Sequence, residues 1–162
     1  MRKTEPDKGL AAWLAVLQLR SAVVEALEDD LEREHGTPLA FFEVLLQLTS
    51  APEGRLKMQE LAESVLISKS GITRLVDRME SAGLVERQAC ASDRRAIHAV
   101  ATPAGRARLR NAIPTHVASL EQHFSRHLTA AELESLRAIM RKVLNANGVG
   151  DTPCPSLASA SG

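Results

Sequence analysis

Apolar residues recur at helical spacing through most of this chain. Over residues 10–35, Leu14, Leu17, Val24, Leu27 and Leu31 fall near one stripe, which predicts a long helix ended by Gly36. Thr37 and Pro38 read as the cap and first position of a second helix holding Leu39, Phe42, Leu45, Leu46 and Leu48. Ser50-Ala51-Pro52-Glu53-Gly54 stops it, and Arg55-Leu56-Lys57 is enough for a minimal strand. Residues 58–66 predict a short helix with Leu61, Ala62 and Val65 turned inward. In the next helix, over 68–82, Ile72, Leu75, Val76 and Met79 fall at i, i+3, i+4 and i+7. Ser68 suits its N-cap, Ile67 and Ile72 its hydrophobic staple, and Gly83 its left-handed stop.

Strands at 84–89 and 96–101 then flank the charged turn Cys90-Ala91-Ser92-Asp93-Arg94-Arg95. Thr102-Pro103 opens a further helix towards His127, and Pro114 inside it predicts a kink between Ala112 and Thr115. Leu128-Thr129-Ala130-Ala131-Glu132-Leu133 is a capping box with its staple. The helix it opens carries Leu133, Leu136, Ile139, Met140, Val143 and Leu144 to about Asn147. The expected fold is mainly α with a small β-hairpin wing. One domain over 10–147 comprises a winged helix-turn-helix lobe at about 38–101 and a helical dimerisation stem at about 10–35 and 102–147. A flexible arm at 1–9 and a disordered tail at 148–162, rich in Pro, Ser, Ala and Gly, flank it.

The helix over 68–82 presents Lys69, Ser70, Thr73, Arg74, Asp77 and Arg78 on the face opposite its apolar stripe. Short polar and cationic side chains near a helix N-terminus suit insertion into a DNA major groove. There Arg can donate twice to guanine, Ser and Thr reach bases or phosphates, and the helix dipole favours phosphate. Ser70, Thr73, Arg74 and Arg78 are the candidate readers, while Ser68 and Lys69 suit capping and phosphate contact. At the hairpin tip, Arg94 and Arg95 suit a narrow, electronegative minor groove, with Asp93 orienting them; which arginine inserts is open.

Net charge is zero, yet its distribution is uneven. Residues 1–54 hold 5 basic and 10 acidic side chains, residues 55–110 hold 11 and 6, and residues 111–162 hold 4 of each. The positive segment coincides with the winged helix, so zero overall is compatible with DNA binding. With 44% hydrophobic and 25% charged residues the chain reads as globular, and with no run of 18 apolar residues it is expected to lack a membrane span. No secretion signal is read at the N-terminus, and two cysteines are too few for a disulfide framework, so the expected location is the cytoplasm. Cys90 reads as a small packed strand residue, and Cys154 falls in the tail. No nucleophile elbow, phosphate-cradling glycine loop or zinc-binding helix signature occurs, so neither catalysis nor a cofactor is expected.

On these motifs the chain resembles the MarR family of transcriptional regulators. The matching pieces are Glu60-Leu61-Ala62, the run from Ser68 to Arg74, the run from Glu80 to Arg87, and the wing Ser92-Asp93-Arg94-Arg95-Ala96 closing at Ala101-Thr102. Ala101 departs from the leucine usual in the family. The resemblance implies a regulator, expected to be a repressor relieved by a small molecule such as an aromatic acid, with Trp13, Arg20, His35, Phe42 and His116 as pocket candidates. Trp13 reads better as a core or dimer-seam anchor than as a pocket residue. Surplus apolar surface on the first and last helices predicts a homodimer, and two-fold symmetry then demands a pseudo-palindromic duplex. The alternative reading is a metal site: His116, His123 and His127 lie within about 40° of one another on a continuous helix.

Overall fold

The computed structural model describes residues 7–65, 69–89 and 97–150. Along the chain run α1 (Lys8–His35), α2 (Leu39–Ser50), β1 (Arg55–Lys57), α3 (Met58–Ser64), α4 (Lys69–Ser81), β2 (Val85–Ala89), β3 (Ile97–Ala101), α5 (Pro103–His123), a 3-10 turn (Ser125–His127) and α6 (Ala130–Ala146). Each described element lies within a residue or two of its sequence-based position, apart from the C-terminal end of α5. The three strands form one antiparallel sheet in the order β1-β3-β2. The mainly helical, winged-helix expectation therefore holds.

The most apolar short helix, α2, sits at the centre: Phe42, Val44, Leu45 and Leu48 are buried there. Around them close Leu27 and Leu31 of α1, Leu61 of α3, Ile72, Val76 and Met79 of α4, Val85 of β2 and Leu109 of α5. Burying one such side chain stabilises by about 1.5–3 kcal/mol, so α4 is held by its stripe rather than by intrinsic propensity.

Helix ends show where local sequence stops deciding. Gly36 ends α1 with φ of 55°, as expected for a left-handed cap. Thr37, however, does not cap α2: its buried hydroxyl donates back to the His35 carbonyl. The free amide of Leu39 donates instead to the Glu28 carboxylate at 2.7 Å. Pro38 at the cap position has no side-chain acceptor, so α1 supplies one. Arg108 of α5 completes this joint, donating to the carbonyls of His35 and Gly36 and to Thr37 Oγ1. The acidic stretch at the end of α1 is therefore more than a solvated face. Besides Glu28, Asp30 accepts from Arg33 and lies 3.8 Å from His123 of α5, and Glu34 accepts from Thr115.

Thr102 caps α5, accepting from Gly105 N–H and donating to the Gly83 carbonyl at 2.7 Å. A Cβ built on Gly105 would lie 2.1 Å from the Leu84 carbonyl oxygen, so α5 packs on the start of the wing at a distance only glycine permits. The helix continues unbroken through Pro114. Thr129 and Glu132 form the expected capping box of α6.

Although no run of 18 consecutive apolar residues exists, α1 is long and apolar enough, by length and composition, to cross a membrane. Its apolar side chains stand exposed: Leu10, Trp13, Leu14, Leu17 and Val24. Val117 and Leu120 of α5 and Ile139, Val143 and Leu144 of α6 are exposed as well.

Candidate nucleic-acid interface

Helix α4 presents two opposed faces because its sequence does. Ile72, Leu75, Val76 and Met79 are buried, while Ser70, Thr73, Arg74, Asp77 and Arg78 are exposed. Ser70, Thr73, Arg74 and Asp77 follow the i, i+3, i+4, i+7 pattern and share one ridge. Arg78 is turned to the side, its guanidinium 5.3 Å from the centroid of the Phe41 ring on α2. At an exposed site a contact of this kind contributes about 0.5–1 kcal/mol, enough to bias the guanidinium towards α2.

The sheet brings in a residue that sequence reading had used only as part of a motif. In β2, Val85, Arg87 and Ala89 alternate onto one face, opposite Ala101, Ala99 and Ile97 of β3. Val85 fills the core, and Arg87 crosses from the same face to α4. Its Nη2 donates to Asp77 Oδ1 at 2.6 Å and to the Thr73 carbonyl at 3.3 Å. Its Nη1 donates to Glu80 Oε2 at 2.6 Å, while the other Glu80 oxygen accepts the Arg87 backbone N–H at 3.2 Å. Desolvation opposes the charge on Arg87, but its bonds to Asp77 and Glu80 outweigh that cost and raise its pKa above the usual arginine value. Asp77 is thus committed to Arg87. The signal for this lay in the alternation of β2 and the i, i+3 pair Asp77 and Glu80.

Ser68, Asp93, Arg94 and Arg95 lie outside the described residues. The described hairpin stems, paired from Val85↔Ala101 to Ala89↔Ile97, lead towards the expected tip.

The pocket candidates separate. Phe42 and His116 come together, stacked with ring centroids 4.3 Å apart. They line a cavity of about 250 Å³ with Glu43, Leu46, Gln47, Ser64 and Val65. Burial pushes the His116 imidazole below its ordinary pKa, and its Nδ1 has no hydrogen-bond partner among the described residues. Glu43 is pushed up, first by desolvation; the charge of Arg20 works the other way, and that of Glu28 adds to the rise. Trp13 and His35 do not line this cavity: Trp13 is 57% exposed, and His35 is hydrogen-bonded to Thr115 at 2.8 Å. Arg20 is not among the described lining residues, and its charge bears on Glu43.

The shared histidine face is not formed. Helix α5 ends at His123, and His127 sits in the following turn with Nε2 on the Gln122 carbonyl at 3.0 Å. His116 faces Phe42 and His123 faces Asp30. Among the described residues no group of three or more potential metal ligands converges. The alternative metal reading assumed a helix continuing to His127, and the break near Phe124 removes that premise.

A helix pair feeding an exposed polar ridge, followed by a β-hairpin, defines a winged helix-turn-helix protein. A family model described as MarR family matches residues 35–96. The structure superposes on AbsC, a MarR family transcriptional regulator from Streptomyces coelicolor, with a TM-score of 0.83 and 31% identity over 91% of this chain and 99% of that one. Sco3205, a MarR family transcriptional regulator from the same organism solved in complex with DNA, gives 0.81 and 31% over 95% and 99%. The transcriptional repressor MprA of Escherichia coli (strain K12) is 29% identical over 129 residues, 80% of this chain and 72% of that protein. The chain belongs to the MarR family, and is a transcriptional regulator rather than an enzyme.

Proposed function

We propose that this chain is a homodimeric, sequence-specific repressor that reads a pseudo-palindromic DNA site. The observation that carries the reading is the ridge of α4: Ser70, Thr73 and Arg74 stand exposed above a fully buried apolar stripe. Pushed into a major groove, that ridge offers hydroxyls and a guanidinium to base edges, with Lys69 and Ser68 at the phosphate. Arg78 joins it on leaving Phe41. The wing residues Asp93, Arg94 and Arg95 reach the adjacent minor groove, an assignment that rests on sequence. The DNA-bound state of Sco3205 and the repressor activity in the name of MprA support the reading. Selection of bound fragments from genomic DNA tests it: an enriched inverted repeat is expected, with half-sites about 10 base pairs apart. Recovery of unrelated sequences refutes it.

The exposed apolar residues of α1, α5 and α6 support the dimer. A single chain leaves Leu10, Trp13, Leu14 and Leu17 in water on one helix, together with Ile139, Val143 and Leu144 on another. A second copy laid against them buries both sets at once, and 10–35 with 102–147 then act as the stem of a regulator working in the cytoplasm. The same apolarity gives α1 its membrane-like composition; Arg20 and Glu25 inside it suit a protein seam better than a bilayer.

The cavity at Phe42 and His116 is the proposed effector site. Its stacked rings and the flanking Leu46 and Val65 suit a small aromatic molecule. Among the described residues its lining holds a carboxyl and no Lys or Arg, so an aromatic acid would draw on Arg20 from α1. A ligand there lies between α2, α3 and α5, and shifts the reading helices relative to the stem.

A further inference from the structure

Helix α4 carries two carboxylates as well as its cations. Asp77 lies on the same ridge as Ser70, Thr73 and Arg74, and Glu80 follows one turn later. An exposed carboxylate on a surface that approaches DNA faces a row of phosphates at like charge, which weakens binding at every sequence. Both are answered by one residue from outside the helix. Arg87 takes Asp77 on Nη2 and Glu80 on Nη1, each at 2.6 Å, and its own backbone N–H holds the second Glu80 oxygen. The planar fork suits this division, since its two terminal nitrogens serve two carboxylates simultaneously. The arginine side chain is itself mostly covered, at 23% exposure, while Asp77 and Glu80 keep 57% and 42%. Arg87 therefore contributes charge to α4 without standing on the ridge.

We infer that Arg87 is a positioning and charge-masking residue for DNA recognition: its single positive charge offsets half of the charge of the two carboxylates of the reading helix, and its fork ties that helix to the root of the wing. The inference rests on the proposed DNA reading. Its third contact, to the Thr73 carbonyl, lands within the reading ridge itself, so register between β2 and α4 is set at the position where bases are met. A lysine at 87 keeps a charge but cannot fork between Asp77 and Glu80.

The test uses the full chain, a duplex recovered by genomic selection with the wild-type protein, and a scrambled duplex of the same length. Arg87→Gln is expected to lose about tenfold or more in affinity for the recovered duplex. The loss should shrink as salt is raised, because screening weakens phosphate repulsion. Adding Asp77→Asn and Glu80→Gln to that variant is expected to restore binding to within about threefold of wild type. Asp77→Asn with Glu80→Gln in the wild-type background should bind at least as tightly as wild type, and this arm does not depend on Arg87→Gln folding. Charge masking is overturned if that double variant binds as weakly as Arg87→Gln, or if the triple variant is no better than Arg87→Gln. It is also overturned if Arg87→Gln binds like wild type. Failure of the wild type to prefer any duplex is a different result, and refutes the DNA reading instead.

Discussion

The Glu28 carboxylate on α1 accepts the amide of Leu39 on α2 at 2.7 Å, so the first helix supplies the N-terminal cap of the second. Arg108 grips the carbonyl end of α1 from the other side. The joint between the two helices is thus a charged cap and a charged clamp around the turn at Gly36. Glu28→Ala removes the acceptor and leaves the Leu39 N–H without it, which should cost about 1 kcal/mol. Melting at fixed chain concentration should fall by about 2–4 °C. Glu28→Gln keeps a carbonyl acceptor and should lose less. Equal stability of Glu28→Ala and wild type would show that the contact is replaced by water at no cost.

Gly105 meets the Leu84 carbonyl at a distance that leaves no room for a side chain. A methyl at 105 would meet backbone at 2.1 Å and Leu45 Cδ2 at 2.9 Å. Gly105→Ala is expected to destabilise by at least about 2 kcal/mol, because neither α5 nor β2 can retreat without opening the core. Ala104→Ser, one position earlier and exposed, should stay within about 0.5 kcal/mol. Denaturant unfolding of the two variants side by side decides the point.

His116 makes stability depend on acid. Burial holds its folded pKa below the ordinary 6.5, so the neutral ring is the folded form. Stability from this group is fully present above pH 6.5 and is lost as pH falls from there towards the folded pKa, since only the unfolded chain takes up the proton. One such group contributes a slope of up to about 1.4 kcal/mol per pH unit within that window. His116→Phe keeps a ring against Phe42 and should flatten the slope of unfolding free energy below pH 6.5. A slope unchanged by the substitution would assign the acid sensitivity elsewhere.

On the DNA side, Arg74→Ala should cost about 1–3 kcal/mol against the selected duplex and much less against a scrambled one. Arg94→Ala and Arg95→Ala should each weaken binding, and the one that reaches the minor groove should do so more at A·T-rich flanks. Gel-shift titrations at one salt concentration read both effects. Unchanged affinity in both wing variants would remove the wing from the interface.

Much of this was legible in the sequence because it is local. The stripe of Ile72, Leu75, Val76 and Met79, the Thr129 and Glu132 capping box and the Thr102-Pro103 start each need only a few neighbouring residues, and each stands as expected. The misses are long-range. Local reading assigns the α2 cap to Thr37, whereas the acceptor comes from Glu28, which lies 11 residues before Leu39. Arg108 meets residues more than seventy positions earlier. The histidine face failed because α5 stops at His123. Arg87 and Asp77 were visible as charges, but their pairing depends on β2 crossing α4, which period-2 alternation implies only once the sheet is placed.

The central claim is that two copies of this chain grip one duplex through symmetric reading helices. Sedimentation equilibrium of the protein with the selected duplex tests it most directly. The expected result is a free protein of two chains at micromolar concentration, and a complex of two chains per duplex that persists at salt levels where a scrambled duplex is released. A monomer in solution, or one chain per duplex with equal retention of both DNAs, would contradict it.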